Sequence, residues 1–261
     1  MSTLSPKKTA FVLASTDHGT MIVNRLDYNF APNGAYYGVG AQLLETSSFD
    51  AAEVEHLVGL LRRRHDLYGP GVVAIDGGAN IGVQTLTWAR AMTGWGSVIA
   101  IEAQERVFYA LAGNIVLNNL FNARALHAAI AAEPGVIEIP EPDYLNYGTF
   151  GSFELRRHDR NENIGQNVDE NPKISVTAMT IDSLALPRLD MLKLDIEGME
   201  EEALAGARRT IETCRPVIVV EWIKSDKNKL VATLAALDYD VFEAGINLIG
   251  LHKADRLLQK T

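Results

Sequence analysis

An α/β fold, with an open and mostly parallel sheet covered by helices on both faces, is the class predicted by this sequence of 261 residues. Three observations predict it. From residue 72 onward, short apolar runs rich in β-branched residues alternate with stretches of helical periodicity, the pattern of consecutive βα units. The first such run, VVAID, passes directly into a glycine-rich turn and then into a helical stretch. The last stretch, YDVFEAGINLIGLH (239–252), reads as two strands around Ala244 and Gly245, a hairpin that adds an antiparallel edge strand.

The elements follow in order. Residues 1–70 precede the alternation and read as an N-terminal extension packed on the core. TAFVLAS and GTMIVNRL are strand candidates, and 51–65 is an amphipathic helix ending in RRRH. Residues 71–261 read as one domain. VVAID (72–76) is a buried strand and IGVQTLTWARAM (81–92) a helix. SVIAIE (97–102) and QERVFYALAGNIVLNN (104–119) repeat the unit. ARALHAAI (123–130) is a third strand. LDMLKLD (189–195) is a fourth, followed by a helix near 199–213, and RPVIVVE (215–221) a fifth, followed by a helix near 226–237. The polar, Asn- and Gly-rich segment 141–173 interrupts the alternation as a long insertion. A loop of that length inside a compact domain is uncommon and often functional.

Composition narrows the partners. Hydrophobic residues make up 47% of the chain, enough for a sizeable core, and the 22% charged fraction argues against long disorder. A net charge of −9 argues against a nucleic-acid partner, which needs a basic face. No run approaches the roughly 20 apolar residues of a membrane span. The N-terminal residues lack a signal-peptide pattern, and the lone Cys214 fits a reducing compartment, so a cytoplasmic protein is expected. A homodimer is left open.

In open α/β sheets, ligands sit at the carboxyl ends of the strands. Asp76, Glu102, Asp195, Glu197 and Glu221 end four of the five strands, so five carboxylates converge on one edge. In the turn after the first strand, Gly77, Gly78 and Gly82 permit sharp turning and close backbone approach, and Asn80 tolerates a positive φ. The helix from Ile81 then offers its first amides to a negative group. Glu102 lies 20 residues beyond Gly82, which places an acid at the next strand tip, where it accepts both hydroxyls of a ribose. Two adenosine ligands fit: NAD and S-adenosylmethionine. Ala79 and Asn80 spoil the G-x-G-x-x-G fingerprint, and Asp76 would face a pyrophosphate. An ammonium and a sulfonium suit these acids better, so the residues favour the methyl donor. NAD-dependent oxidation and a non-catalytic binder of S-adenosylmethionine are the alternatives.

The stretches VVAIDGGANIG, IEAQERVFYALAGNIVLNN, MLKLDIEGMEEEALAGA and RPVIVVEW resemble the FkbM-type methyltransferases over about residues 70 to 252. The resemblance implies a Rossmann-like, seven-stranded class I methyltransferase sheet and S-adenosyl-L-methionine as cofactor. It implies O-methylation of a small-molecule or saccharide hydroxyl. It puts Asp76, Gly78, Ala79, Asn80 and Gly82 around the methionine part, Glu102 on the ribose, and Ala129 and Ile130 near the adenine. Asp195 would border cofactor and acceptor. Ala103 stands where the family often has proline.

Asp195, ending the central strand, is the first candidate base for a hydroxyl acceptor; a cofactor ligand or a helix cap is its other reading. Glu197 is as readily a helix cap as a catalytic group, and Glu221 as readily a surface acid as an acceptor contact. The three together can hold a divalent cation, but no spacing is diagnostic, and a metal is not expected. His127 reads as a core histidine, and His18 as a residue that can reach the site from the extension. Lys193, in a central strand, needs an acidic partner. Arg62, Arg63 and Arg64 read as a solvated face. Asn146, Tyr147, Gly148 and Ser152 suit a lid that excludes water, and the acceptor is expected to be read there and in the N-terminal extension.

Overall fold

The computed structural model describes residues 8–156 and 161–258. The chain opens with a hairpin of β1 (Phe11–Thr16) and β2 (Gly19–Asn24), then the short pair β3 (Asn29–Phe30) and β4 (Tyr36–Tyr37), then α1 (Val39–Thr46) and α2 (Ala51–Tyr68). The alternating units follow as β5 (Val72–Gly77), α3 (Val83–Ala91), β6 (Gly96–Glu102), α4 (Glu105–Leu117) and β7 (Ala123–His127). Next come β8 (Ala129–Ile130), β9 (Gly135–Pro140) and β10 (Lys173–Met179). The chain ends with β11 (Met191–Leu194), α5 (Glu200–Ala205), α6 (Arg208–Cys214), β12 (Val217–Glu221), α7 (Lys227–Ala236), β13 (Tyr239–Ala244) and β14 (Asn247–His252).

The main sheet has seven strands in the order β13-β14-β12-β11-β5-β6-β7. Its five central and right-hand strands are parallel, and β14 runs antiparallel to both β12 and β13. The expected edge position of the antiparallel strand is therefore corrected. The strand β14 inserts beside β12, and β13 takes the edge, because the tight turn at Ala244–Gly245 folds the hairpin back toward the sheet centre.

Strand alternation sends neighbours to opposite faces. Ala74, Val98, Val217 and Val219 pack with Leu57 and Leu61 of α2, Leu86 and Trp88 of α3, Leu111 of α4, and Met21 and Val23 of β2. Ile75, Leu192, Leu194, Ile218 and Val220 pack with Leu204, Ile211, Leu230 and Leu234 on the other face. Trp88 and Leu86 are fully buried. Burying side chains of this size stabilises by roughly 1.5–3 kcal/mol each. The capping carboxylate of Asp226 accepts from the amides of Asn228 and Lys229 and starts α7.

Four other expectations change. The third strand stops at His127. Ala128 N still bonds Glu102 O, but Ala131 N turns to Met179 O, and β8 joins a second sheet of order β8-β10-β9. The insertion 141–173 thus hangs between the paired strands β9 and β10, which the sequence reading passed over. The helix near 199–213 is two helices. Gly206 separates them, where a Cβ would lie 2.2 Å from Ala131 O, and Asp182 caps α6 by accepting from Arg209 N and Thr210 N. The first crossover helix starts at Val83 rather than Ile81, because Gly82 (φ 97°) occupies its N-cap.

Candidate active site

The carboxyl ends of β5, β6, β11 and β12 form the floor of the site. Beyond Asp76 the chain turns through Gly78 (φ 76°), Asn80 (φ 49°) and Gly82. A Cβ on Gly78 would lie 1.7 Å from Asp195 O, so the turn presses against the end of β11 only because glycine stands there. Gly77 and Gly82 have packing roles: a Cβ on either would strike Ile130 or Leu111. Asp76 is buried and its Oδ2 accepts from Thr85 Oγ1 at 2.5 Å. Burial raises its carboxyl above the usual range, against the opposing pull of the Lys193 ammonium.

Glu102, at the tip of β6, is buried too. Its Oε2 accepts from Asn80 N (3.0 Å) and its Oε1 from Gln104 N (2.8 Å), so it staples the glycine turn to its own strand. Each oxygen keeps a further lone pair for a hydroxyl. Burial pushes this carboxyl up to about 7. Around it runs a narrow slot walled by Ala103, Ala129, Ile130, Phe153 and Met199, which also reaches Gly78, Asn80, Asp195 and Glu197.

A wider cavity of about 380 Å³ adjoins the slot and contains Asp76, Gly78, Ala79, Asn80, Asp195, Glu197 and Glu221. Here Lys193 Nζ meets Asp195 Oδ2 at 2.8 Å, the ion pair that a buried central lysine requires. Burial works to raise Asp195, but the Lys193 ammonium outweighs it and holds the carboxyl below its ordinary range. Glu221 shares a hydrogen bond with Asp195. Burial and the neighbouring Asp195 charge push Glu221 up to about 9. Glu197, in a left-handed conformation (φ 57°), pairs with Lys224 at 2.6 Å. Burial and Asp195 push it up to about 8. Lys224 also meets Glu162 at 2.9 Å and donates to Ser152 O. The two lysines thus engage the acids proposed for a cation, and among the described residues no group of three or more His, Cys, Asp or Glu side chains is arranged to hold a metal.

Other expectations are corrected by the geometry. Glu197 does not cap the following helix, whose N-cap is Met199 with no side-chain hydrogen bond; Glu200 instead accepts from Ile196 N and Gly198 N in the turn before it. His18 does not reach the cavity. It is buried against α3, its Nδ1 3.0 Å from Thr87 Oγ1 while its Nε2 accepts from Phe49 N. His127 stacks on Phe108 and bonds Ala103 O. Arg64 is not solvated but 5% exposed, paired with Asp190 and Asp255. Within the insertion, Ser152 lines the cavity, whereas Asn146 bonds Lys8, Tyr147 stacks on Tyr28 at 5.7 Å, and neither lines it. Gly148 N bonds Leu26 O, which ties the insertion to the N-terminal segment.

Several cavity residues escaped the sequence reading. Asp27 is buried and receives Gly40 N on one oxygen and Phe150 N on the other, clamping the N-terminal segment to the insertion. Burial pushes it up to about 6. Glu53 of α2 accepts from Gln84 Nε2 (3.2 Å) and Asn247 Nδ2 (2.9 Å). Thr149, Gly151 and Glu162 come from the insertion. Only Gln84, one residue past the start of α3, and Lys224, three beyond Glu221, carried a positional signal.

Residues 76–241 match the model of the methyltransferase FkbM domain. Among solved structures the chain is similar to the methyltransferase FkbM of Methylobacillus flagellatus KT, with 18% identity and a TM-score of 0.48 over 70% of this chain and 44% of that one. It therefore spans less than half the length of that protein. It is similar to precorrin-6y C5,15-methyltransferase of Geobacter metallireducens GS-15, with 14% identity and a TM-score of 0.46 over 76% and 85% of the two chains. A third is magnesium protoporphyrin IX methyltransferase of Synechocystis PCC 6803 with bound SAM, with 11% identity and a TM-score of 0.46 over 77% and 79%. No curated protein matches the chain.

Proposed function

The chain belongs to the FkbM methyltransferase family, and on that premise we propose that it methylates a hydroxyl oxygen of a small molecule or saccharide with S-adenosylmethionine. The observation that carries this reading is the Lys193–Asp195–Glu221 array at the centre of the sheet, next to the Gly78–Asn80 turn. The donor set suits the cofactor. Glu102 keeps lone pairs for two ribose hydroxyls, and the apolar slot at Ala103, Ala129 and Ile130 suits a flat base. Asp76, Asp195 and Glu221 make a wall that attracts an ammonium and a sulfonium and repels a pyrophosphate, which counts against NAD.

When bound, the cofactor supplies a sulfonium methyl carbon open to in-line displacement. The chain supplies orientation and a proton acceptor. Lys193 keeps Asp195 ionised, and Glu221 holds the proton of the pair. A cation entering the cavity favours the ionised form of Glu221, so the pair sheds that proton to solvent and becomes a base. The pair would then take the acceptor's hydroxyl proton, and the bound cofactor would supply the methyl group to that oxygen and keep the electron pair of its carbon–sulfur bond. Glu197 acts through Lys224 on the insertion at Ser152 and Glu162. A reducing, cytoplasmic setting belongs to this reading, carried by the free Cys214, as do a small acceptor rather than nucleic acid or membrane, and no metal. Among the described residues no helix is long and apolar enough to cross a membrane.

Calorimetric titration with S-adenosylhomocysteine and, separately, with NAD tests the cofactor. The expected outcome is homocysteine-product binding that Glu102→Ala abolishes, with no NAD signal; NAD binding would sink the reading. Transfer of labelled methyl to hydroxyl acceptors tests the chemistry. Loss of a general base typically costs about 10²–10⁴-fold, so Glu221→Gln should lose rate on that scale while keeping product affinity. An unchanged rate would remove the pair from catalysis.

A further inference from the structure

Beside the wide cavity lies a second concavity that the cofactor reading does not use. It is a groove of about 700 Å³ between α2 and the β13–β14 turn, lined by Gln42, Asp50, Ala52, Glu53, His56 and Asn247 among others. That volume is within the roughly 300–1,000 Å³ of drug-sized ligand sites. The two concavities share Gln42, Asp50, Glu53 and Ile246, so they adjoin across these side chains. The narrow slot of Glu102 is lined from the ends of β6 and β8, whereas the groove opens over β12 and β14. A cofactor reaching in from one side and an acceptor from the other would meet at Asp195 and Glu221, as an in-line displacement needs.

The lining chemistry names the occupant. Among the described residues no Lys or Arg lines the groove, while Asp50 and Glu53 do, so an anionic acceptor is repelled. Gln42, Asp50 and Glu53 line the junction beside Ile246, while Leu57, Val219 and Ile249 give the groove apolar surface as well. Glu53 already accepts one amide proton on each oxygen and keeps lone pairs. In the adjoining wall, Gln84 Oε1 and Thr149 Oγ1 are buried and meet no protein partner, in residues only 9% and 2% exposed. Buried polar atoms without a partner are costly. One is an acceptor and the other both donor and acceptor, and a ligand hydroxyl satisfies either, being both itself.

We propose that this groove is the acceptor's own binding site, that it takes a neutral polyhydroxylated molecule such as a saccharide, and that Glu53, Gln84 and Asn247 read its hydroxyls at the entrance to the reaction cavity. The proposal rests on the hydroxyl-methylation reading and narrows it. Glu53 is in this role a specificity-determining residue, not a base.

Saturation-transfer NMR of the full chain, with and without S-adenosylhomocysteine, tests it against three probes: a set of neutral mono- and disaccharides, a polyamine and a sugar phosphate. Neutral saccharides are expected to bind and the other two not. Ala52→Trp, an exposed change that fills the groove, should weaken saccharide binding more than tenfold, and Glu53→Gln about fivefold, with homocysteine-product affinity unchanged in both. Saccharide binding that survives Ala52→Trp, absence of binding by every saccharide, or preference for the polyamine or the sugar phosphate overturns the proposal. Failure of the homocysteine product to bind the wild-type chain would instead break the methyltransferase reading, and saccharide binding is read independently of it.

Discussion

At the amino ends of the parallel strands, Arg64, Arg188, Asp190 and Asp255 form a closed set. Asp190 accepts from Arg188 Nε (2.8 Å), Arg188 Nη2 (3.1 Å) and Val73 N (2.9 Å), and meets Arg64 at 3.5 Å. Asp255 takes Arg64, Tyr68 Oη and Leu257 N. At the carboxyl ends, Asp76, Glu102, Asp195, Glu197 and Glu221 face two lysines; burial pushes all five up, and only at Asp195 does the Lys193 ammonium outweigh it. One end matches its charges and the other crowds them. The difference teaches where stability was relinquished: like charges held together in a low-dielectric cavity destabilise the fold and prepare it for a cation.

The comparison breaks most sharply at Asp190. Asp190→Ala leaves the buried Arg64 with Asp255 alone and takes the carboxylate from Arg188 and from Val73 N, and removing one partner of a buried pair costs about 3–5 kcal/mol. Denaturant unfolding checks this, and a loss below about 1 kcal/mol would show that the amino end is not held by its ion pairs. Homocysteine-product binding by the folded fraction should be unaffected.

A smaller effect sharpens the carboxyl end. Glu102 titrates at about 7 in the folded chain and at the ordinary carboxylate value when unfolded, so the folded state holds the extra proton between the two. Stability is then full below about pH 4.5 and falls as pH rises through about 7, on the order of 3 kcal/mol from this group alone. Asp27, at about 6, acts below it, and Glu197 and Glu221, at about 8 and 9, extend the decline upward. Thermal melting from pH 5 to 9 should show a decreasing melting temperature. Glu221→Gln keeps a donor toward Asp195 without a proton to lose, and should flatten the curve above pH 7. A melting temperature that rises with pH would contradict the crowding.

The smallest expected effect lies within one helix. Arg62→Ala and Arg63→Ala change exposed side chains and should stay within about 0.5 kcal/mol, unlike Arg64→Ala, which leaves Asp255 and Asp190 short of a partner. Equal losses at all three positions would show that α2 does not bury Arg64.

That last contrast shows how the sequence is read and misread. The buried stripe of α2 runs Val54, Leu57, Val58, Leu61 and then Arg64, so helical spacing already placed Arg64 inward. An apolar period is easy to see until a charged residue continues it. Asp76, Glu102 and Glu221 were legible for the converse reason, since each closes an unbroken apolar run. Lys193 announced its need for Asp195 by standing within one. By contrast, Asp27 meets Phe150 N across 123 residues and Glu53 meets Asn247 across 194. Nothing local at either end marks the other.

The sequence by itself determined the layered α/β architecture, the glycine turn after β5 and the line of carboxylates, because strand period, turn chemistry and run boundaries are local properties of a few adjacent residues. Only the tertiary structure decided that β14 lies inside β13, that the third strand divides at Ala128, and that α2, the insertion and the C-terminal hairpin meet around one cavity. Those outcomes depend on which distant surfaces bury one another, and burial between remote segments leaves no period in the chain.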